Sequence, residues 1–379
     1  MMYGLTEDQL LIKNMAREFA DNEVRPIASV IDKEHRFPVE SLPRMAELGL
    51  FGLTIPEEFG GSGGDVTSYI LVIEELARVS ATHAVILSVH MSVCAQPILQ
   101  FGTDAQKKKY LPALASGRSL GAFAVTEAGA GSDASGQNTS AVRTGDNYIL
   151  NGTKIFITNG GYADIFLVMA VTEKSKGVKG LTTFIVEKGF SGFTVGQIEE
   201  KMGICGSSTT EIILKDCVVP AENILGGEGN GFKVAMNALD GGRVSIAAQG
   251  VGLAQGALEA AVDYAKQRVQ FGKPIAVNQG IQWMLADMAL EVEAARLLTY
   301  NAARLKEQHM NYSKQAAMAK LHAAQTVMDV TVKAVQIHGG IGYTRNYPVE
   351  RYMRDAKIIG IYEGTNEIQR IVIAKNILS

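Results

Sequence analysis

The sequence predicts an α+β chain in which a β-rich middle is inserted between two helical regions. Three observations carry that prediction. Residues 6 to 119 place apolar side chains at helical spacing, broken by the Gly/Pro-rich stretch IPEEFGGSGGD (55–65). From 121 to 226 short β-rich runs such as YILNGTKIFIT, IFLVMAV and LTTFIVEK lie between Gly, Asn and Asp turns. Runs spaced by roughly ten residues read as an antiparallel sandwich or small barrel, not as alternating strand–helix units. From 231 onward the chain is again helical and rich in alanine. Helices, then strands, then helices imply a helical core with an inserted β domain. The expected domains are 1–120, 121–226 and 227–379.

In the first region, TEDQLLIKNMAREFADNEV has acids in its first turn and a Thr6…Gln9 spacing that suits a capping box, so it reads as an amphipathic helix and not a signal peptide. The longest apolar run, HAVILSVHMSVCAQPIL (83–99), is interrupted by two His, two Ser and a Gln. It reads as a buried helix, not a membrane span. In the third region Ile281, Leu285, Met288, Val292, Ala295, Ala302 and Leu305 fall on steps of four and three, the seam of a long bundle helix. The small residues of AAQGVGLAQGALEAAV (247–262) permit close helix approach.

Composition bounds the function. A chain of 379 residues with 47% hydrophobic and 20% charged residues has enough apolar side chains for a large interior spread over two or three domains. The net charge of -3 gives no electrostatic case for nucleic acid or an anionic membrane. Cys94, Cys205 and Cys217 form no CxxC pair, which points to a reducing compartment. The six histidines are scattered without metal-ligand spacing, so no metal is expected. Forty glycines exceed the usual ~7%, so several tight turns or close backbone approaches are expected.

No Walker or Rossmann glycine pattern occurs. Three other glycine clusters, TEAGAGSDASG (126–136), GGEGNG (226–231) and HGGIGY (338–343), are either tight turns or anion-binding loops. In KIFITNGG (154–161) alternation puts Phe156 and Thr158 on one face of a strand, either as core or as a stacking surface with a hydroxyl beside it. LDGGR (239–243) sets Asp240 and Arg243 near the start of a long helix, as a nucleotide-reading pair or as a cap and surface ion pair. KQRVQFGKP (266–274) ends a helix with Lys266, Arg268 and a Phe271–Gly272 stop. In IIGIYEGTNEIQR (358–370), Glu363 stands between an apolar approach (Ile358, Ile359, Ile361, Tyr362) and a helix that Thr365 caps. It is either a solvated loop acid or a desolvated base.

Together these segments resemble the acyl-CoA dehydrogenase family over nearly the whole chain. GAFAVTEAGAGSDASG (121–136) and QIHGGIGYTRNYPVERYMRDAKIIGIYEGTNEIQR (336–370) carry most of the likeness, with KIFITNGG, LDGGR and RVQFGKP in the right order around them. The resemblance implies an N-terminal α-helical domain, a central antiparallel β-barrel domain and a C-terminal four-helix bundle, assembled as a homotetramer. It also implies FAD-dependent α,β-dehydrogenation of an acyl-CoA to a trans-2-enoyl-CoA. Glu363 matches the base that removes the α-proton, while a hydride leaves the β-carbon for flavin N5. The Glu363 N–H would hold the thioester carbonyl.

For FAD, the resemblance implies contacts from Phe123, Val125, Thr126, Ser132, Phe156 and Thr158. Further contacts come from Phe271, Thr365 and Glu367, and, across a subunit interface, from Arg268, Gln279 and Gln336 to Gly340, Gly339 and Gly340 among them. Ser132, Asp240, Arg243, Tyr362 and Gly364 match substrate contacts, with Asp240 and Arg243 on the CoA nucleotide. Many relatives have Trp at Phe156 and Pro at Ala128. Some branches carry the base at the position of Gly242, and the glutaryl type has an arginine near Ala84. The likeness in wording is to short-chain (butyryl-type) members, ahead of branched or cyclic acyl-CoA dehydrogenases and of the longer acyl-CoA oxidases. The implied partner is an electron-transferring flavoprotein. The MMYGLTEDQ start suggests a bacterial cytoplasmic protein before a processed mitochondrial one.

Overall fold

A computed structural model of the chain describes residues 4–378. Met1–Tyr3, which open the MMYGLTEDQ start, and Ser379 lie outside the described residues. The first region comprises α1 (Glu7–Phe19), α2 (Arg25–Glu34), α3 (Leu42–Glu47), α4 (Val66–Val79), α5 (Ala81–Ser88), α6 (Gln96–Phe101) and α7 (Asp104–Ala115). Helix α1 starts as its sequence predicts. The Gln9 N–H donates to Thr6 Oγ1 at 3.2 Å and the Thr6 N–H to Gln9 Oε1 at 3.0 Å, which satisfies two otherwise orphaned donors. Thr103 and Gln106 repeat the device at α7.

Between α5 and α6 the helix widens into a π-helical segment, Val89–Ala95. The continuous stretch Ala81–Phe101 is long and apolar enough to cross a membrane, but most of it is buried inside the protein, as a core helix would be. Its two histidines are paired rather than exposed. His83 lies 2.9 Å from Ser80 Oγ and 3.1 Å from Ser41 Oγ. His90 Nδ1 accepts the Gly121 N–H at 3.1 Å, and its Nε2–H donates to the Phe51 carbonyl at 3.2 Å. Burial pulls both imidazoles down to about 4, so they stay neutral.

The middle region holds β1 (Gly121–Ala124), β2 (Ser140–Thr144), β3 (Asn147–Thr158), β4 (Ile165–Val171), β5 (Leu181–Glu187), β6 (Phe193–Ile198), β7 (Thr209–Pro220) and β8 (Ile224–Leu225). They form one sheet in the order β6-β7-β3-β2-β4-β5-β8, with β1 beside β4. The expected antiparallel barrel needs correction on two points. The pairing path is open from β6 to β8, so the sheet is not a closed barrel. It is also mixed, because β1 runs parallel to β4 and β2 meets β4 in parallel at Ser140 and Val171. The chain leaves β1 through the loop at 125–139 and returns to the same side of β4, and such a loop does not form a hairpin. Tyr148, Leu150, Ile157, Phe166, Phe184 and Val186 are central to the core of the sheet.

The third region runs from α8 (Gly231–Gln267) through the hairpin β9 (Val269–Gln270) and β10 (Lys273–Pro274) to α9 (Gln279–Glu307), α10 (Ser313–His338), α11 (Val349–Ile359) and α12 (Asn366–Leu378). The predicted seam of α9 faces inward. Met288, Val292, Ala295 and Ala302 are buried, and Ile281, Leu285 and Leu305 are half-buried. The small residues of α8 work as expected. A Cβ at Gly252 or Gly256 would run into the α4 carbonyls of Glu74 or Arg78, so α4 and α8 touch through bare backbone. Arg296 of α9 closes the same junction with a buried ion pair to Glu74 at 2.9 Å.

Candidate active site

Helix α11 ends at Ile359 and α12 begins at Asn366; the six residues between them form a reversed turn. Glu363 has φ 54° and Gly364 has φ 89°, two consecutive left-handed residues. Glycine takes that conformation freely, whereas for glutamate it costs on the order of 1 kcal/mol and persists only where the surroundings enforce it. Three donors enforce it here. The Gln369 Nε2–H groups donate to the carbonyls of Glu363 at 3.2 Å and Gly364 at 2.8 Å, and Lys320 Nζ donates to the Gly364 carbonyl at 2.7 Å. Thr365 Oγ1 accepts the Ile368 N–H at 3.4 Å and so caps α12.

The Glu363 carboxylate points inward. Its Oε2 is buried and has no hydrogen-bond partner among the described residues. Burial pushes its pKa up to about 7, against the opposing pull of Arg243 and Lys320. Across from it, α8 presents bare backbone. A Cβ built on Gly242 would lie 2.8 Å from Glu363 Cδ, well inside contact distance. The two positions at which the resemblance places a base thus face one another, and only one of them carries a carboxyl.

The apolar approach is partly as expected. Ile359 is fully buried and Ile358 half-buried, but Ile361 is 48% exposed and does not shield the acid. The Ile361 and Tyr362 N–H groups both return to the Ile358 carbonyl, which tightens the end of α11 and turns Ile361 outward. Tyr362 instead supports the turn from within. Its hydroxyl donates to Gln249 Oε1 at 2.5 Å, and Gln249, fully buried, anchors through Nε2 to the Ala81 carbonyl at 2.9 Å.

Asp240 and Arg243 are neither a cap nor a surface pair. They lie well inside α8, paired with each other, with Arg243 only 5% exposed and its Nε unpartnered. Asp240 also accepts from Ser313 Oγ at 3.1 Å, and burial pulls the neighbouring Lys306 ammonium down to about 8. Arg243 also acts electrostatically on Glu363, favouring its ionised form. Sequence reasoning missed Lys306, Lys320, Gln249 and Gln369. Each lies in an ordinary helical pattern, where a lone Lys or Gln reads as a solvated position.

A second group of residues surrounds the β1–β2 loop. Lys154, fully buried, donates through Nζ to Glu127 Oε1 at 2.7 Å, Gln137 Oε1 at 2.5 Å and the Val125 carbonyl at 3.3 Å. Glu127 also accepts the N–H groups of Asn138 at 2.8 Å and Thr139 at 3.0 Å. This buried knot stakes out the loop at both ends. Beyond it Ser132 is exposed, and Gly129 and Gly131 border open space. Val125 is buried, while Phe123 and Thr126 are half-buried.

Phe156 is not core. It is 58% exposed and sits at φ 57° in a bulge between Lys154 and Ile157. Thr158 is half-buried on the same accessible side, with Ile157 buried between them. The bulge thus presents an aromatic face to the outside of the sheet.

The remaining residues of interest lie on the outside of the subunit. Arg268, Gln279, Gln336, Gly339, Gly340 and Glu367 are all exposed, and Phe271 is fully so. Phe271 and Gly272 have φ 50° and 76° and form the tip of the β9–β10 hairpin. Open space surrounds Gly272, Gly339 and Gly340. The exposed stacking face, the open glycine loops and the polar groups beside them fit a large flat ligand with a phosphate chain, as FAD is.

Three segments of the chain match known domain families: residues 6–118 the acyl-CoA dehydrogenase N-terminal domain, 122–217 the middle domain and 229–378 the C-terminal domain. The short-chain specific acyl-CoA dehydrogenase of Clostridium acetobutylicum is 53% identical over 377 residues, covering 100% of both chains. The solved butyryl-CoA dehydrogenase of Megasphaera elsdenii superimposes with a TM-score of 0.98 at 51% identity, covering 99% of each chain. A chain in the structure described as the electron transferring flavoprotein of Acidaminococcus fermentans superimposes with a TM-score of 0.98 at 54% identity, covering 100% of both.

Proposed function

The chain belongs to the acyl-CoA dehydrogenase family, and from that premise we propose that Glu363 is the base that removes the α-proton of a short-chain acyl-CoA thioester. The protein is an FAD-dependent oxidoreductase that converts an acyl-CoA to the trans-2-enoyl-CoA. The observation that carries the reading is the Glu363 carboxylate, whose Oε2 is buried and unpartnered among the described residues and which lies against Gly242. A carboxyl held near 7 is both available as a base and strong enough to use. Abstraction of the α-proton leaves its electron pair to form the double bond as a hydride departs the β-carbon. FAD, when bound, supplies the acceptor for that hydride.

The rest falls to the chain's own groups. The Glu363 N–H has no acceptor among the described residues and is free to hold a thioester carbonyl, which acidifies the α-C–H bond. Arg243 and Lys320 are the two cations that act on the ionised acid. Phe123, Val125, Thr126, Ser132, Phe156 and Thr158 would hold FAD from within the subunit, with Thr365 and Glu367 at the start of α12. Arg268, Phe271, Gln279, Gln336, Gly339 and Gly340 would complete the site from a second copy, consistent with their exposure. Ser132, Asp240, Arg243, Tyr362 and Gly364 would contact the acyl-CoA. A homotetramer is the assembly this reading favours, supported by exposed Trp283, Leu290 and Leu297 on α9. The electron-transferring flavoprotein as acceptor is supported by the description of the Acidaminococcus structure, and a cytoplasmic location by the bacterial relatives.

The test is Glu363→Gln. We expect it to retain FAD and bind butyryl-CoA while anaerobic flavin bleaching slows by about 10²–10⁴-fold; undiminished bleaching would remove Glu363 from the chemistry. A panel of straight, branched and cyclic acyl-CoAs tests the substrate class, with butyryl-CoA expected to reduce the flavin fastest.

A further inference from the structure

We propose that Lys320 and Gln369 are positioning residues for Glu363, holding its reversed turn by capturing the carbonyls of Glu363 and Gly364. The inference rests on the reading of Glu363 as the base. Two consecutive left-handed residues turn the peptide planes against the direction of α11, and the carbonyls they expose must find donors away from water. Lys320 reaches in from α10 and Gln369 from α12, and both are fully buried. Gln369 bridges the two carbonyls, and Lys320 takes the second lone pair on Gly364. With the carbonyls fixed on that side, the Glu363 carboxylate lies against Gly242 with its Oε2 unpartnered among the described residues.

Lys320 holds more than a carbonyl requires. A neutral donor would satisfy Gly364, whereas a buried ammonium costs free energy unless a negative charge answers it. Among the described residues its Nζ makes one hydrogen bond, to a neutral carbonyl. Its charge is answered electrostatically by Glu363, with a smaller contribution from Glu367 of α12. The other ionisable groups facing Glu363 are Arg243 of α8, Tyr69 of α4 and the adjoining Tyr362. Lys320 therefore fixes the turn through its hydrogen bond to Gly364 and favours the ionised acid through space.

The experiment uses FAD-loaded Lys320→Met and Gln369→Leu, with Glu363→Gln as reference. For K320M, kcat with butyryl-CoA is expected to fall about 10–100-fold. Crotonyl-CoA binding by calorimetry is expected to stay within about threefold, and the acidic limb of the kcat–pH profile to move to higher pH because a cation beside the base is gone. Q369L, which removes no charge, is expected to lower kcat with the acidic limb in place, and it decides the issue if K320M does not fold. The proposal is overturned if E363Q is inactive while both variants keep kcat within about twofold and the wild-type acidic limb. It is also overturned if activity in both is lost only in step with bound FAD, the signature of a purely structural role. Full activity of E363Q would instead overturn the reading of the base itself.

Discussion

The two halves of the site are built in opposite ways. Around Glu363 the supporting groups are internal: the turn is strained, its carbonyls are captured by the buried Lys320 and Gln369, and the facing helix is pared down to Gly242. On the side proposed for the flavin, the residues assigned to it include several at the surface. Phe156 and Phe271 are exposed, and Gly339 and Gly340 border open space. A reacting acid needs a dry environment that one subunit can supply by its own packing. A large cofactor needs a long cradle, and this chain offers two separate pieces of one. On the proposed reading, the base is a property of the fold, whereas the cofactor site is a property of the assembly.

Perturbations that strike one half and spare the other sharpen this comparison. The largest effect is expected from Lys154→Met, which strands the buried Glu127 carboxylate beneath the β1–β2 loop. Breaking a buried pair costs about 3–5 kcal/mol, so urea unfolding should show a loss of that order together with weaker FAD retention. Next, Trp283→Asp places a charge on the exposed apolar face of α9. Sedimentation should show dissociation, and FAD should be released as the assembly is diluted; a dissociated subunit that keeps its FAD would break the comparison.

Gly242→Ala strikes only the acid side. Its methyl must displace the Glu363 carboxylate, at a cost of about 1–3 kcal/mol. Turnover should fall roughly tenfold or more with FAD content unchanged. The last effect is on stability. Because burial raises the folded-state pKa of Glu363 from 4.5 to about 7, its protonated form is the one that suits the fold. The contribution is fully present below pH 4.5 and is lost as pH rises through 7. Glu363→Gln should therefore melt above wild type at pH 8, and the gap should close at pH 5.

Much of this was legible in the chain. The order of helices, strands and helices, the capping box at Thr6, the seam of α9 and the small-residue contact of α8 follow from periodicity and residue size, which are local properties. The site was legible as a set of loops and one acid, because glycine clusters and a capped helix leave marks in sequence. Other features left none. The parallel pairing of β1 with β4 depends on where a loop returns, and the bulge that lifts Phe156 out of the core interrupts the alternation that sequence reasoning assumes. Lys154, Lys320 and Gln369 act through partners up to tens of residues away, so nothing beside them in the chain announces their burial.

The most direct test of the central claim is the incorporation of solvent deuterium at the α-carbon of butyryl-CoA, followed by NMR under anaerobic conditions. Wild-type protein is expected to catalyse the exchange, and Glu363→Gln, with butyryl-CoA bound, to leave it at the enzyme-free rate. Exchange by Glu363→Gln at the wild-type rate would contradict the account, since another group would then be taking the α-proton.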